Sequence, residues 1–387
     1  MIIKNSTPKK DGYRMPGEYE THSATFMLWP VRPDNWRNNA IPAQTAFANV
    51  ANAIAEFEPV KMGVNNEKEA DDARKLLGDN VEIKIIESND SWARDNAPTF
   101  VINNDNGVRA IDWVFNAWTR IDEDGNLVPL YDDYTLDQEV ARKMAEIEEV
   151  EIYKLDDFVL EGGAIHVDGE GTILTTDECL LDMGRRGKEN PLTKSEVEEV
   201  LCEYLGAEKV IWIPRGIHLD ETAGHVDNIA CFVRPGVIAL AWPNENYPKD
   251  DPQWEISQEA YEVLSNVTDA RGRKLQIEKM LLPDPITITE EESKGVESLE
   301  HMAREVGDRL GATYVNYYHV NGAIIVPGFA DTSDSNENRK MQDERVVEQL
   351  QKLYPDRKIV QVAAREIILG GGNIHCITQQ VPKGQRN

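Results

Sequence analysis

The 387-residue sequence has no long apolar run and few basic residues. No stretch approaches the roughly 18 apolar residues of a membrane-spanning helix, and residues 1–10 lack the apolar segment of a secretory signal. Lys and Arg number 41 against 69 Asp and Glu, which leaves a formal net charge of -28. Because nucleic-acid binding depends on clustered Lys and Arg, the composition argues against nucleic acid and anionic membranes as partners. We expect a cytoplasmic protein.

Cysteine is also scarce. The four cysteines, Cys179, Cys202, Cys231 and Cys376, are too few and too scattered for a disulfide framework or a paired-cysteine zinc site. Reduced thiols are therefore expected, and one of them is available for chemistry. No spacing of His, Cys, Asp and Glu indicates a metal site, so we predict neither a metal nor a cofactor.

A hydrophobic content of 41% with 28% charged residues is typical of a globular protein. The acidic excess favours a small cationic partner, although it also serves solubility alone. No Pro/Ser-rich linker interrupts the chain, and we predict a single domain over residues 1–387.

A structural repeat is the main feature of the pattern. The order strand, strand, helix, strand is predicted over residues 97–153, 163–213, 226–277 and 313–362. In the second unit, Thr193 and Glu196 form the spacing of a helix capping box. The two chain ends supply a fifth unit, with a strand at 373–380 joining strand 24–29, helix 43–57 and strand 60–64. Pairing of the ends removes exposed sheet edges. The predicted fold class is therefore α/β, built of five similar units around a central pocket.

Two segments fall outside the repeat. Residues 67–86 predict an additional helix and strand without an assigned place. Residues 285–311 predict an additional acidic helix.

Polar clusters stand where the first strands of the units begin. They occupy residues 90–95, 161–163, 224–228 and 370–376. A central pocket would collect side chains from these positions. Their candidate functional residues are Asp95, Glu161, His225, Asp227 and Cys376.

Each of these residues has an ordinary structural interpretation when it is taken alone. Alternation along a predicted strand places His225 and Asp227 on one face, but His218 and Asp220 show the same spacing. A cysteine on a predicted strand, such as Cys376, is more often a small buried apolar residue. The joint occurrence of the clusters at equivalent places in a repeat favours a functional site.

The chemistry that suits this set is attack on a guanidinium carbon. A guanidinium carries planar pairs of N–H donors, which Asp95 and Asp227 would accept. Cys376 would be the nucleophile, since a bound cation favours its thiolate. His225 would protonate the leaving ammonia and then activate water, with Glu161 orienting the imidazole.

Four motifs resemble those of the agmatine deiminase family. They are residues 12–19 (GYRMPGEY), 28–37 (LWP to WR), 220–228 (DETAGHVDN) and 370–376 (GGGNIHC). The resemblance covers nearly the whole chain and implies a five-bladed α/β propeller of the guanidino-group-modifying superfamily. It also implies conversion of agmatine and water to N-carbamoylputrescine and ammonia through an amidino intermediate on the Cys376 thiol. The segment 182–187 departs from the pattern of the family.

Two alternatives remain open from the residues. The same five residues would serve a deiminase of free or peptidyl arginine. A binding protein for polyamine-like cations is the alternative outside catalysis, although the retained Cys376 argues against it. Agmatine differs from arginine in lacking a carboxylate, so its distal ammonium needs an aromatic face or a carboxylate. Trp92 and Glu221 are the candidates for that contact, and a homo-oligomer is possible.

Overall fold

The computed structural model describes residues 1–122, 124–187, 191–296, 304–330 and 337–385. Its strands are β1 (Ile2–Ile3), β2 (Tyr13–Arg14), β3 (His22–Leu28), β4 (Val60–Val64), β5 (Val81–Ile85), β6 (Thr99–Asn103), β7 (Val108–Val114), β8 (Arg120–Ile121), β9 (Leu127–Val128), β10 (Glu151–Val159), β11 (Ile165–Val167), β12 (Thr172–Thr176), β13 (Lys209–Ile213), β14 (Ala230–Arg234), β15 (Val237–Pro243), β16 (Gln276–Leu282), β17 (Tyr318–Val320), β18 (Ala323–Gly328), β19 (Lys358–Ala363) and β20 (Gln379–Pro382).

The α-helices vary from single turns to 17 residues. They are α1 (Ile41–Ala55), α2 (Glu67–Ala73), α3 (Ala93–Asn96), α4 (Val140–Ile147), α5 (Asp177–Leu180), α6 (Met183–Arg186), α7 (Lys194–Leu205), α8 (Gln253–Asn266), α9 (Glu337–Leu353) and α10 (Arg365–Ile368). Short 3₁₀ helices occupy Asp137–Glu139, Gly162–Ala164 and Val226–Asn228. No helix in the described part of the chain is both long and apolar enough to span a membrane.

The strands of the described residues form five sheets of three to five strands and one two-stranded ribbon. Each of the five sheets contains an antiparallel pair followed by a parallel strand: β6-β7-β10, β11-β12-β13, β14-β15-β16, β17-β18-β19 and β20-β3-β4. Helices α4, α7, α8, α9 and α1 connect the parallel strands in these five sheets. The predicted order of strand, strand, helix, strand is confirmed.

The two ends of the chain meet in one sheet. Strand β20 pairs antiparallel with β3, and Gln380 lies opposite Thr25. This confirms the predicted pairing of the chain ends. The unassigned segment 67–86 forms α2 and β5, and β5 extends the same sheet by pairing parallel with β4.

Local sequence signals explain how the elements begin. Thr193 caps α7 through the backbone N–H of Glu196, and the Glu196 carboxylate accepts from the Thr193 N–H, which confirms the predicted capping box. Val197, Leu201 and Leu205 bury one face of this helix. Such faces pack against the sheets, so the apolar core lies between helices and strands and leaves the ends of the first strands to the polar clusters.

Four predicted strands begin later than expected. Val226–Asn228 form a 3₁₀ helix before β14, and Gly162–Ala164 form another before β11. The strands predicted from residues 313 and 373 begin only at Tyr318 (β17) and Gln379 (β20). At these positions, side-chain oxygens accept hydrogen bonds from backbone N–H groups, which would otherwise be available to pair with a neighbouring strand. The Asp220 carboxylate accepts the His225 N–H at 2.9 Å, and the Asn373 side chain accepts the Ile374 N–H at 2.9 Å.

The predicted acidic helix at 285–311 is wrong over the residues that are described. Segments 285–296 and 304–311 contain turns and an isolated bridge between Thr287 and Arg309. The intervening residues 297–303 lie outside the described chain. Thr289 and Glu292 form a capping box, but only turns follow it over the described residues.

Candidate active site

A pocket of about 340 Å³ opens where the polar clusters converge. It holds the predicted nucleophile, one predicted carboxylate and both candidates for the distal ammonium. Its lining residues are Trp92, Asp95, Trp118, Leu130, Tyr131, Glu221, Thr222, Gly370, Gly371, Gly372 and Cys376. Residues from distant parts of the chain therefore share one cavity, as the repeat predicts.

Cys376 lies on a turn ahead of β20 and is buried. Its thiol donates to Asp227 Oδ2 at 3.7 Å, and Asn316 Nδ2 donates to its sulfur at 3.3 Å. Burial and the negative charges of Asp227 and Asp95 raise the pKa of Cys376 well above its usual range. In the free protein this sulfur is therefore a neutral thiol.

Asp95 lies on the single-turn helix α3. Its Oδ1 accepts the Gly163 N–H at 2.9 Å, and its Oδ2 accepts the Trp118 indole N–H at 3.0 Å. Burial raises the pKa of Asp95 to about 6, although the neighbouring His225 opposes the shift. Glycine is required at 163, because a Cβ there would lie about 2.5 Å from His225 Nδ1.

His225 is completely buried beside two carboxylates. Its Nδ1 lies 3.8 Å from Asp95 Oδ2, and its ring lies close to Glu161. Burial lowers the pKa of His225, but the charge of Asp95, with contributions from Cys179 and Glu161, outweighs burial and raises the pKa to about 10. The imidazole is therefore protonated at neutral pH and is able to donate a proton.

Glu161 is held from behind by a buried arginine. Arg185 Nε donates to Glu161 Oε1 at 3.1 Å, and both side chains are almost fully buried. Burial raises the pKa of Glu161, but the charges of Arg185 and His225 outweigh it and leave the pKa below its usual range. Glu161 is thus an ionised side chain that is oriented by Arg185 and lies close to His225.

Asp227 lies within a 3₁₀ turn, not on a strand. The predicted strand alternation of His225 and Asp227 is wrong, but the turn still directs both residues to the Cys376 region. His375 Nδ1 lies 2.8 Å from Asp227 Oδ2. Burial raises the pKa of Asp227, but the hydrogen bond and charge of His375 outweigh it and keep the pKa below its usual range.

Several buried polar atoms of this site have no hydrogen-bond partner among the described residues. They are Asp227 Oδ1, Glu161 Oε2 and both ring nitrogens of His225. Buried polar groups are otherwise almost always paired, because an unpaired one costs about 1–3 kcal/mol. A polar ligand bound at this site would supply the missing hydrogen-bond partners.

The mouth of the pocket is different in character. Trp92 packs on Trp36 with ring centroids 5.3 Å apart and offers an aromatic wall. Glu221 lines the pocket but already accepts hydrogen bonds from Arg304, at 2.7 and 3.2 Å. Both candidates for the distal ammonium therefore line the pocket, but the negative charge of Glu221 is already balanced by Arg304.

Several residues of the site were not predicted. Asn316, Trp118 and Arg185 contact Cys376, Asp95 and Glu161, respectively. Asn316 stands just before β17, at the position that carries a polar cluster in the other units, so the repeat held a signal for it. Trp118 and Arg185 lie in loops and short helices outside the repeated positions and carried no such signal.

Two groups of buried side chains have the composition of metal sites: Glu161 with Cys179 and His225, and Glu18 with His166 and His375. In each group, one member already forms an ion pair with a neighbouring side chain. Arg185 neutralises Glu161, and His375 lies against two carboxylates. The absence of a metal remains a prediction.

Comparison with known proteins agrees with this geometry. The model of the Porphyromonas-type peptidyl-arginine deiminase family matches residues 14–382. A Latilactobacillus sakei protein named "Putative agmatine deiminase" is 55% identical over 100% of both chains. The chain belongs to the agmatine deiminase family. The agmatine deiminase of Pseudomonas aeruginosa strain LESB58 is 49% identical over 99% of each chain. The solved structure of the Enterococcus faecalis agmatine deiminase superposes with a TM-score of 0.90 at 43% identity, covering 100% of this chain and 99% of that one.

Family membership agrees with the resemblance read from the four motifs. It also accounts for the α/β fold with repeated sheets, which is shared with the solved agmatine deiminase structures.

Proposed function

We propose that this protein hydrolyses agmatine to N-carbamoylputrescine and ammonia. One observation carries the proposal: the Cys376 thiol contacts Asp227, and buried side-chain atoms of Asp227, Asp95 and His225 converge beside Gly163. A planar guanidinium would supply N–H donors to the carboxylates while placing its carbon near the sulfur. The family relationship supports agmatine as the compound that carries this group.

Substrate binding activates the nucleophile in this scheme. The free thiol is neutral because burial disfavours its charged form and because Asp227 and Asp95 place negative charge beside it, both of which raise the pKa of Cys376. The positive charge of a bound guanidinium lowers the pKa of Cys376, so the thiol releases its proton to solvent and the thiolate forms only when a substrate is present. Asn316, which donates to the sulfur, stabilises the thiolate once it has formed.

The reaction then proceeds in two halves. The thiolate attacks the guanidinium carbon, and the protonated His225 donates its proton to the departing ammonia, which leaves an amidino group on Cys376. Neutral His225, oriented by Glu161, next removes a proton from water. Attack of that water releases N-carbamoylputrescine and restores the thiol.

The mouth of the pocket supports a substrate without a carboxylate. Trp92 offers its face to an aliphatic chain, and Glu221 provides negative charge for the distal ammonium when Arg304 moves aside. Deimination of free or peptidyl arginine is the second candidate. Free arginine is favoured by Arg304, a guanidinium near the same mouth that is able to bind the α-carboxylate.

A substrate panel tests the function. Ammonia release is measured with agmatine, free arginine and an arginine-containing peptide at equal concentrations. We expect the highest kcat/KM with agmatine. A higher kcat/KM for either arginine compound would replace agmatine as the substrate, and ammonia release from none of the three would contradict the proposal.

Broader architectural proposals accompany this function. We propose that the five sheet units are the blades of a five-bladed α/β propeller and that residues 1–387 form a single domain. The same strand order in all five sheets and the pairing of β20 with β3 support the blade arrangement. A cytoplasmic location and a homo-oligomer remain predictions from the sequence.

A further inference from the structure

His375, directly before the nucleophile, lies between two buried carboxylates. Its Nδ1 is 2.8 Å from Asp227 Oδ2, and its Nε2 is 2.7 Å from Glu18 Oε2. An ionised carboxylate only accepts hydrogen bonds, so both ring nitrogens must carry a proton. The contacts therefore define His375 as an imidazolium cation.

Further donors keep Glu18 ionised. The backbone N–H of His319 donates to Glu18 Oε1 at 3.0 Å, and the His319 ring is at the same distance from that oxygen. Arg94 Nη2 lies 3.5 Å from Glu18 Oε2. Burial raises the pKa of Glu18, but the charge of His375 and these contacts outweigh it and leave the pKa well below its usual range.

The charged and titratable groups around His375 are few. Among the described residues they are Glu18, Asp227, Arg94, His166, Tyr318 and Cys376, with His319 reached through Glu18, and Asp95 and His225 reached through Asp227. Burial and Arg94 lower the pKa of His375, but Glu18 and Asp227 outweigh them and raise it. Burial lowers the pKa of His166 to about 3, so this neighbouring ring is neutral.

The two carboxylate oxygens of Asp227 have different roles in this arrangement: one is bound by the protein, and the other is left for a ligand. Oδ2 is occupied by His375, while Oδ1 has no hydrogen-bond partner among the residues described. His375 therefore fixes the rotation of the carboxylate and compensates its burial. Asp227 remains ionised even though Asp95, itself a carboxylate, shares the site.

We propose that His375, held as an imidazolium between Glu18 and Asp227, is a positioning residue that orients Asp227 and keeps it ionised for guanidinium binding. The proposal rests on the proposed function, because it assigns Asp227 to the substrate. It assigns no contact between His375 and the substrate itself. Glu18, 357 residues away along the chain, anchors the other side of the ring.

The matched pair His375→Gln and His166→Gln tests the role. Glutamine at 375 retains an N–H donor but carries no charge, so the pKa of Asp227 rises. The acidic limb of the kcat/KM profile for agmatine then moves to higher pH, and kcat/KM near neutrality falls roughly ten- to hundredfold through KM more than kcat. His166 stacks on His375, with ring centroids 6.1 Å apart, but makes no hydrogen bond to Asp227 in the described part of the chain. His166→Gln is expected to retain the wild-type pH profile.

Glu18→Gln provides a second variant if His375→Gln folds poorly. Its amide oxygen still accepts from His375, so the ring stays in place while the charge that favours imidazolium is removed. We expect the same displacement of the acidic limb, smaller in size. An unchanged limb in a folded Glu18→Gln or His375→Gln variant would overturn the proposal, as would an equal displacement in His166→Gln.

A measurement without substrate separates this proposal from the proposed function. Nitrogen NMR of histidine-labelled protein, with the His375 signals assigned by their loss in His375→Gln, is expected to show both ring nitrogens protonated at pH 8. A neutral ring would contradict the proposal whether or not the protein acts on agmatine. Wild-type protein that shows the imidazolium but releases no ammonia from agmatine would instead refute the proposed function alone.

Discussion

The inner end and the mouth of the pocket differ in whether their polar side chains already have partners within the protein. At the inner end, Asp227, Glu161 and His225 each have buried polar atoms without a hydrogen-bond partner in the described chain. At the mouth, Glu221 is already paired with Arg304, and its side chain is 38% exposed. At the inner end, a ligand would therefore bind polar atoms that have no partner. At the mouth, a ligand would bind Glu221 only after the ion pair between Glu221 and Arg304 has broken. We conclude that the reaction is determined inside and substrate preference is adjusted at the mouth.

The largest effect should come from the nucleophile at the inner end. Cys376→Ser is expected to lower kcat by roughly a thousandfold or more with an unchanged melting temperature, because the serine hydroxyl does not ionise under the same conditions. Cys202→Ser is the control, since Cys202 lies on α7 and does not line the pocket. Ammonia release near the wild-type rate by Cys376→Ser would end the covalent scheme.

The two inner aspartates should respond similarly in activity but differently in stability. Asp95→Asn and Asp227→Asn each remove a negative charge opposite the guanidinium, which costs about 2–5 kcal/mol, or roughly thirtyfold to several thousandfold in kcat/KM. Asp227→Asn should also lower the melting temperature, because the buried His375 cation loses its charged partner. Asp95→Asn should not, although His225 loses a charged neighbour, because the raised pKa of Asp95 shows that burial disfavours its ionised form more than the charge of His225 favours it.

The pH dependence of stability checks the Asp95 assignment. Its pKa is raised from 3.8 to about 6, so the folded protein binds more protons than the unfolded chain between these values. Ionised Asp95 therefore destabilises the wild type above about pH 6, and this cost disappears as the pH falls toward 3.8. We expect Asp95→Asn to melt at a higher temperature than wild type at pH 7.5, with the difference shrinking at pH 4. A constant difference would contradict the assignment.

Changes at the mouth should be smaller and should appear in KM. Glu221→Gln removes one partner of a partly exposed ion pair, for which about 1 kcal/mol, or roughly fivefold in KM for agmatine, is the upper range. The freed Arg304 should at the same time raise kcat/KM for free arginine relative to agmatine. A loss of kcat as large as that of the inner variants would show that the two ends do not act separately.

Chelation should have the smallest effect. Every proposed role is filled by a side chain, so incubation with a chelator is expected to leave ammonia release unchanged. Loss of activity with recovery on metal addition would contradict the metal-free scheme and would make the two histidine-containing groups described above candidate ligand sets.

The repeat made much of this site predictable from sequence. Cys376, His225, Asp95 and Glu161 could be grouped because each stands near the start of a unit's first strand, and equivalent positions in similar units meet at one place. Asn316 likewise stands just before the first strand of its unit, β17 in the fourth unit. The pairing of the chain ends was also predictable, because each end contains half of a unit.

Other features depend on contacts that one sequence does not reveal. His225 and Asp227 were expected on a strand, but hydrogen bonding of the His225 N–H to Asp220 favours a turn. The Glu18–His375 contact joins residues 357 positions apart, and no local pattern predicts it. The Glu221–Arg304 pair likewise unites distant loops, so the balance of charge at the mouth was not predictable.

The central claim is that Cys376 carries the amidino group during turnover. Mass spectrometry of an acid-quenched reaction with agmatine tests it most directly. We predict an added amidino-alkyl mass on the peptide that contains Cys376, and its absence from Cys376→Ser. Finding the added mass on Cys179, Cys202 or Cys231, or finding turnover with no adduct on any cysteine, would contradict the account.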